Sequence, residues 1–212
     1  MSVPPRRIVA AFDVDGTLTD RDTLLPFLVL VFGRARVAAT FAALGVHGAR
    51  LLLGRQTIDQ FKVRMLRRLF AGEPAARVRA LGAAHARAIA PWLRPGALER
   101  LAWHRAQGHD VRLVSATLDL YLDPLAAALG LPAPLCTRLS TRLGADGVER
   151  FDGGLAVADC TGAEKLRRLD AAVGGLAGVE LHAYGDSDGD CALLAAARHA
   201  HFRPFRGPDA AR

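Results

Sequence analysis

The sequence predicts an α/β fold, a doubly wound parallel sheet with a helical cap inserted after the first strand. Three short apolar runs each end at a polar loop, and helical patterns follow the second and the third run. Between the first run and the second, residues 20–93 have helical periodicity throughout. The alternation of strand, loop and helix predicts the sheet, and the long helical stretch predicts the cap.

The three apolar runs have the composition of buried parallel strands. They cover residues 7–12, 110–114 and 179–184. The polar residues Asp13, Ser115 and Asp186 come at or just after the ends of these runs. Because the carboxyl ends of parallel strands open into one crevice, we expect these three side chains to converge despite their separation in the sequence.

Three helical patterns are expected to cover the core sheet, and one hairpin is expected to lie on it. The helical patterns are residues 96–107, which Pro95 introduces and Gly108 closes, 118–129, and 191–198. Residues 135–159 contain two short β-like runs around a turn from Gly144 to Gly147, which predicts the hairpin.

The cap is predicted from three helical segments that glycines separate. They are residues 24–33, 36–45 and 57–70. The expected domains are an α/β core of residues 1–20 and 94–212 and a helical cap of residues 21–93. The first two segments are nearly free of charge, but neither reaches the length of about 18 residues that spans a bilayer.

Composition limits the classes of function. A chain of 212 residues with 51% hydrophobic content can build one core domain with an insertion. The net charge of +7 comes from arginines dispersed along the chain, so we expect no nucleic-acid binding. Three widely spaced cysteines and an N-terminus without a secretion signal predict reduced thiols and a cytoplasmic protein. Among 28 basic residues only Lys62 and Lys165 are lysines.

Four carboxylates are expected at the crevice, and they predict a Mg²⁺ site. Asp13 and Asp15 lie in DVDGT, where Gly16 allows the tight turn that directs both into the crevice, and GDSDGD contributes Asp186 and Asp190. Two such carboxylates about 4 Å apart repel each other by roughly 4 kcal/mol at an effective dielectric constant of about 20, so the cluster requires a cation. Oxygen ligands favour Mg²⁺, whose coordination a substrate phosphate completes.

A phosphate bound at this site needs hydrogen-bond donors and positive charge. Ser115 and Lys165 can supply them, since Lys165 stands at the start of the helical stretch GAEKLRRLDAAV. The compact charge of lysine suits this role. The alternatives are that Lys165 lies on a solvated helix face and that Ser115 only bonds the end of its strand.

The motifs DVDGT, VSAT, the downstream lysine and GDSDGD resemble the haloacid dehalogenase superfamily in order and in spacing. The helical insertion and the YGDSxxDxxLL pattern are most similar to the phosphoserine-phosphatase-like branch, subfamily IB, and to bacterial phosphatidylglycerophosphatase C-type members. This resemblance covers the whole chain and implies a Rossmann-like core and phosphohydrolase chemistry.

The resemblance also implies roles for individual residues. Asp13 would be the nucleophile that forms an aspartyl-phosphate, and Asp15 would protonate the leaving alkoxide and then activate water. The implied Mg²⁺ ligands are Asp13, the main-chain carbonyl of Asp15, and Asp186. The implied phosphate-binding and supporting residues are Ser115, Ala116 and Lys165, with Asp190, Gly16 and Thr17.

Asp22 has two interpretations. By position it is a candidate to bind a substrate amine, as an acidic residue does in phosphoserine enzymes, and it is equally suited to cap a helix that starts near Thr23. Gly189 stands where those enzymes have Asn, which argues against phosphoserine as the substrate.

The first two cap segments are compatible with two classes of substrate. An apolar cap helix that is buried against its neighbours favours a small soluble metabolite phosphate. An interfacial helix with arginines near anionic headgroups favours a lipid phosphate and peripheral membrane contact. A phosphomutase, a dehalogenase and a non-catalytic phosphate-binding module are further alternatives, although Asp15 argues against a dehalogenase. The sequence makes no prediction of the oligomeric state.

The histidines and tryptophans are not assigned to catalysis. His47, His85, His104 and His199 lie within helical patterns, where a packed or solvated role is expected. Trp92 is expected at the boundary between cap and core, and Trp103 in the core.

Overall fold

The structure is a computed structural model and describes residues 7–45, 47–48, 53–54 and 57–206. Seven strands lie in these ranges. They are β1 Ile8–Phe12, β2 Asp110–Leu118, β3 Leu135–Thr137, β4 Leu139–Leu143, β5 Glu149–Leu155, β6 Glu180–Gly185 and β7 His199–Phe202. Five of them form one sheet in the order β3-β2-β1-β6-β7, in which every pair is parallel.

Seven α-helices accompany the strands in the same ranges. They are α1 Leu24–Ala43, α2 Ile58–Phe70, α3 Ala75–Ala88, α4 Pro95–Ala106, α5 Asp119–Ala128, α6 Ala163–Val173 and α7 Cys191–Ala196. Short helical turns cover Val14–Leu18, Ala90–Trp92 and Asp188–Asp190.

The sheet is buried on both faces, because successive side chains of a strand point to opposite sides. On one face, Val9 and Ala11 of β1 pack with Leu169 of α6 and with α7. On the other face, the alternate residues Ala10 and Phe12 pack with residues of α4 and α5. The doubly wound α/β fold with helices on both faces is therefore confirmed.

The central strand β1 determines where the crevice lies. It pairs with β2 on one side and with β6 on the other, so the order of the strands reverses beside it. Open α/β sheets bind ligands at such a switch point, outside the carboxyl ends of the strands. Asp13 follows β1 directly, and its amide donates to the carbonyl of Tyr184 at 2.9 Å.

The helical insertion leaves and rejoins the core at neighbouring points. Thr19 and Leu93 form an antiparallel bridge, and the Arg94 amide donates to the Leu18 carbonyl at 2.8 Å. Within the insertion, Gly33 lies at the junction of the first two predicted segments, and its φ of 77° breaks the regular helical backbone of α1 there. The third segment begins with a capping box formed by Thr57 and Gln60. Whether residues 21–93 form a separate folding unit stays a prediction.

Helix α1 is more exposed than expected. Only 28% of its most apolar window is buried, and Leu25, Leu30 and Phe41 are exposed by 48%, 46% and 41%. Of the two interpretations of this segment, burial against neighbours holds for one side only, where Phe27, Leu28 and Val31 are buried. The two apolar segments follow one another within the 20 residues of α1, which are long and apolar enough to cross a membrane by length and composition alone, but the non-helical backbone at Gly33 divides them into two shorter helical pieces. Core helices of soluble proteins share this length and composition, so these two properties do not distinguish a core helix from a membrane helix.

The hairpin β4–β5 lies on the cap helices and not on the core sheet, which corrects the prediction. The amide of Phe151 donates to the carbonyl of Glu73 at 3.0 Å, and the centroid of its ring lies 5.6 Å from that of the Phe70 ring. A two-stranded hairpin buries little surface by itself, so it needs a neighbouring apolar surface, which α2 and α3 provide. The first residues of the predicted hairpin region, Leu135–Thr137, belong to the main sheet as β3.

Three further expectations need correction. The last core helix ends at Ala196, because the chain turns into the edge strand β7, and His199 therefore lies in a strand. Trp103 is 43% exposed on the outer side of α4 and is not a core residue. Trp92 is partly buried, and its ring packs against that of His85 in the cap.

Candidate active site

The predicted site residues surround one cleft of about 680 Å³ at the carboxyl edge of the sheet. Its lining includes these predicted residues: Asp13, Asp15, Gly16, Asp22, Ser115, Ala116, Lys165 and Asp186. Thr17 and Asp190 are fully buried and do not line the cleft. The structure thus brings together residues that the sequence separates by as many as 173 positions, from Asp13 to Asp186.

Lys165 bridges two buried carboxylates. Its Nζ lies 2.6 Å from Asp13 Oδ1 and 2.5 Å from Asp190 Oδ1. Burial raises the pKa of Asp13 to about 6, although Lys165 opposes this and Asp190 adds to it. Burial lowers the pKa of Lys165, but the attraction to Asp13 and Asp190 outweighs it, so that pKa is raised. Lys165 is therefore a cation, and it lies at the cleft and not on a solvated helix face.

Asp190 holds the loop after β6 in place. Its Oδ2 accepts hydrogen bonds from the amides of Asp186 and Ser187 at 3.1 Å each and from the Ser187 hydroxyl at 2.9 Å. A Cβ on Gly185 would lie 2.5 Å from the Asp190 Cβ, so only glycine fits there. Asp190 thus fixes Lys165 through one oxygen and the Asp186 loop through the other.

Two threonines hold the carboxylate of Asp15. Oδ1 accepts from the amide and the hydroxyl of Thr23 at 2.9 and 2.6 Å, and Oδ2 accepts from the Thr117 hydroxyl at 2.6 Å. Burial raises the pKa of Asp15, and the threonine hydrogen bonds oppose that rise. Asp15 therefore has a defined orientation beside Asp13 and a pKa above that of an exposed carboxyl group.

A cluster of oxygen donors lies beside the buried lysine. One carboxylate oxygen from each of Asp13, Asp186 and Asp190 lies within 4.8 Å of the others. Gly16, with φ 76°, lets the turn pass close to this cluster, since a Cβ there would lie 2.4 Å from Asp186 Oδ2. Arg206 donates to Asp186 and thus brings a positive charge to the cluster. All the donors of the cluster are oxygens, and the cluster already attracts the guanidinium of Arg206. Both properties fit a Mg²⁺ site.

Two of the phosphate-binding candidates, Ser115 and Ala116, lie within β2, which continues to Leu118 and does not end at Val114. Ser115 is 2% exposed, and its Oγ accepts from the amide of Thr117 at 3.3 Å. The backbone register with β3 shifts between Ser115 and Leu118, so the regular ladder is interrupted at the cleft. This irregular segment carries Ser115 and Ala116 to the cleft wall.

Asp22 serves as a helix cap and also faces the cleft. Its Oδ1 accepts from the amide of Leu25 at 3.0 Å, which satisfies a donor in the first turn of α1. The capping interpretation therefore has a direct contact. The other interpretation, contact with a substrate amine, stays a prediction.

Sequence reasoning missed several residues of this site. Thr23 and Thr117 orient Asp15, Lys62 and Asp159 form a pair at the cleft, and Arg206 contacts Asp186. The rarity of lysine singled out Lys62 but did not place it, because its contacts depend on how α2 packs over β2. Thr117 belongs to the VSAT motif and could have been found there.

The comparisons with known sequences agree with these observations. The model of the haloacid dehalogenase-like hydrolase family matches residues 10–195. The protein CicA of Caulobacter vibrioides is 35% identical over 206 residues, which cover 96% of this chain and 89% of CicA. A probable phosphatase of Mycobacterium tuberculosis is 29% identical over 214 residues, covering 97% of this chain and 72% of the relative.

Solved structures show the same architecture. A protein of unknown function from Bordetella pertussis superposes with a TM-score of 0.73 at 28% identity, covering 91% of this chain and 87% of that one. Phosphoserine phosphatase in a substrate-bound complex superposes with a TM-score of 0.59 at 18% identity, covering 91% and 84%, a likeness of fold. By the match over most of its length, the chain belongs to the haloacid dehalogenase-like hydrolases.

Proposed function

We propose that this protein is a Mg²⁺-dependent phosphomonoesterase that acts through an aspartyl-phosphate on Asp13. The observation that carries the proposal is the position of the Asp13 carboxylate. One of its oxygens is bound to Lys165, and the carboxylate also faces the oxygens of Asp186 in the cleft. The name of the mycobacterial relative, a probable phosphatase, supports the same chemistry.

The Mg²⁺ ion would be held by Asp13, Asp186 and the main-chain carbonyl of Asp15. When bound, it supplies positive charge to the phosphoryl oxygens and offsets the repulsion between the carboxylates. Asp190 is already engaged by Lys165 and the Asp186 loop, so its role is to support these residues.

The chemistry divides into two steps. In the first, an Asp13 oxygen attacks phosphorus, the ester bond breaks, and Asp15 gives its proton to the leaving alkoxide. In the second, the ionised Asp15 takes a proton from water, which attacks the aspartyl-phosphate and releases inorganic phosphate and the free Asp13 carboxylate. The raised pKa of Asp15 suits a group that must be protonated in one step and ionised in the next.

Positive charge and hydrogen-bond donors hold the transferring group. Lys165 is buried beside the nucleophile, and the hydroxyl of Ser115 and the main chain at Ala116 line the same cleft. Charge concentrates on the phosphoryl oxygens as the ester bond breaks, so fixed donors here stabilise the transition state.

A small metabolite phosphate, similar to phosphoserine, is the substrate class that the cleft supports best. Charged side chains of both signs, Asp22, Asp59 and Lys62, line the cleft on the cap side. They match a substrate that carries an amine or a carboxylate near its phosphate. Gly189 lies in the same lining and differs from the phosphoserine enzymes, so the substrate need not be phosphoserine itself.

A second candidate is a lipid phosphate similar to phosphatidylglycerophosphate. Leu24 and Ile58 line the cleft, and Ile58 is 71% exposed. Leu25, Leu30 and Phe41 of α1 are exposed as well. Exposed apolar side chains of this kind would contact acyl chains while the phosphate enters the cleft.

Phosphate release from p-nitrophenyl phosphate tests the chemistry. We expect activity with Mg²⁺ that EDTA removes, and a loss of at least about 10³-fold in Asp13→Asn. Asp20→Asn is the matched control, because this nearby carboxylate is paired with Arg21 at the surface. Activity that persists in Asp13→Asn contradicts the nucleophile assignment. No phosphate release from any ester tested would favour a non-catalytic phosphate-binding module.

A comparison of substrates decides between the two classes. Phosphoserine and other small phosphates would be offered in solution, and phosphatidylglycerophosphate in anionic vesicles. Preference for the vesicle substrate, lost when Leu30 and Phe41 are replaced by serine, would favour the lipid phosphatase.

A further inference from the structure

A second group of side chains of the types that bind metal ions lies at the far end of β6 from the active site. Glu180 and His182 alternate along this strand, so both side chains point to the same face. His199 of the edge strand β7 is the register partner of His182. One ligand atom from each of the three residues lies within 4.8 Å of the others.

The two histidine side chains already face the carboxylate of Glu180. His199 Nε2 lies 2.8 Å from Glu180 Oε1, and His182 Nε2 lies 3.9 Å from the same oxygen. The two imidazole rings are stacked with centroids 4.2 Å apart. To bind one ion, the rings must turn about χ2 so that their Nε2 lone pairs meet beside the Glu180 carboxylate.

We propose that Glu180, His182 and His199 form a second metal site, which binds a transition-metal ion such as Zn²⁺ and ties the edge strand β7 to β6. Two imidazoles and one carboxylate suit Zn²⁺ and similar divalent transition-metal ions, whereas Mg²⁺ prefers oxygen ligands alone. Three protein ligands leave a fourth position for water, which can reach the site because the His199 side chain is 40% exposed.

Metal binding replaces a contact that is already present. His199 Nε2 and Glu180 Oε1 are hydrogen-bonded at 2.8 Å, and a bound ion would take the place of the proton between them. A neutral imidazole and an ionised carboxylate are the forms that bind metal, so binding is expected to release protons.

One neighbouring charge must move. Arg198 Nε lies 3.9 Å from Glu180 Oε2, and this side chain is 60% exposed. Because it is held by a single long contact at the surface, it can turn into solvent when a cation takes its place.

Titration with Co²⁺ tests the proposal, because the visible absorption of Co²⁺ distinguishes a tetrahedral site with nitrogen ligands from an octahedral site of oxygens. Tag-free protein would be titrated with the active site saturated with Mg²⁺. We expect one equivalent with an intense tetrahedral band, which Zn²⁺ displaces. His182→Gln and His199→Gln should each weaken binding at least about 10-fold.

Two variants serve as controls. His109→Gln changes a histidine whose ring centroid lies 6.3 Å from that of His182, and Asp186→Asn changes the active-site cluster. Both should retain the band. An absent band, equal binding in His199→Gln, or loss of the band in Asp186→Asn would overturn the proposal.

Thermal unfolding gives an independent readout. Zn²⁺ at about 100 times its Kd should raise the Tm by roughly 5–10 °C for a chain of this size, and the shift should vanish in His199→Gln. Equal shifts in the native protein and in His199→Gln would contradict a site on β7.

Discussion

Lys62 Nζ lies 2.6 Å from the carboxylate of Asp159 and 3.0 Å from the carbonyl oxygen of Ala116. Helix α2 of the cap is thereby joined to the segment that follows Ser115. Both side chains of the pair are largely buried, with 13% and 9% exposed. Thr137 also donates to Asp159, so the carboxylate connects three parts of the chain.

We expect the removal of Lys62 alone to be strongly destabilising. Lys62→Met leaves the Asp159 charge buried without its partner, which should lower the free energy of unfolding by roughly 3–5 kcal/mol. Asp159→Asn keeps the shape and the Thr137 contact. The double variant Lys62→Met/Asp159→Asn should therefore recover more than half of the loss. Urea unfolding of the four proteins gives the interaction energy, and strictly additive effects would show that the two residues are not coupled.

Thr117 is expected to adjust the pKa of Asp15 through its hydroxyl. Thr117→Val removes a hydrogen bond of 2.6 Å to the ionised carboxylate, so the pKa of Asp15 should rise further. Because Asp15 must be protonated to release the alcohol, the alkaline limb of the kcat profile should move up by roughly one pH unit or more with an alkyl phosphate. Thr117→Ser keeps a hydroxyl and should not move the limb. An unchanged pH profile in Thr117→Val would show that Thr117 does not affect the pKa of Asp15.

Asp119 should make the protein less stable as the pH rises. Burial raises its pKa from 3.8 to about 6, with Arg138 opposing and Asp123 adding to the rise, and its Oδ1 has no hydrogen-bond partner. The folded protein thus binds this proton more tightly than the unfolded chain. The resulting stability is fully present below about pH 3.8 and is lost as the pH rises through about 6.

Asp119→Asn removes the charge and should stabilise the protein at about pH 7. The pKa rise corresponds to roughly 3 kcal/mol at most, and partial solvent access reduces the expected gain to about 1–2 kcal/mol. At about pH 4 the gain should shrink toward zero. Asp123→Asn is the control, because its side chain is 44% exposed and pairs with Arg138, so it should not stabilise. Urea unfolding at both pH values measures the difference, and an equal gain at both would contradict the explanation.

The sequence predicted the sheet and most of the cleft for one physical reason. Buried parallel strands are short apolar runs, and polar residues after their carboxyl ends face one crevice. Asp13, Ser115 and Asp186 could therefore be placed together from their positions alone. Lys165 was found through composition, since a lysine in an arginine-rich chain required an explanation.

The remainder depends on tertiary packing that local patterns do not encode. The alternation in β4 and β5 predicts a hairpin but not the surface that it covers, and four residues of β7 are too few to show a period. Helix α1 has apolar residues on all sides, so its pattern could not tell which face stays exposed. The contacts of Lys62 with Ala116 and Asp159 join residues far apart in the sequence.

Capture of the covalent intermediate tests the central claim most directly. Asp15→Asn can still accept the phosphoryl group on Asp13, but it lacks the carboxylate that activates water, so the phosphorylated protein should accumulate with p-nitrophenyl phosphate and Mg²⁺. The reaction would be stopped in acid and the modified residue located by tandem mass spectrometry. The account predicts phosphate on Asp13 and none when EDTA is present. Phosphate on another residue, or turnover by the native protein without any phosphorylated Asp13 in rapid-quench samples, would contradict it.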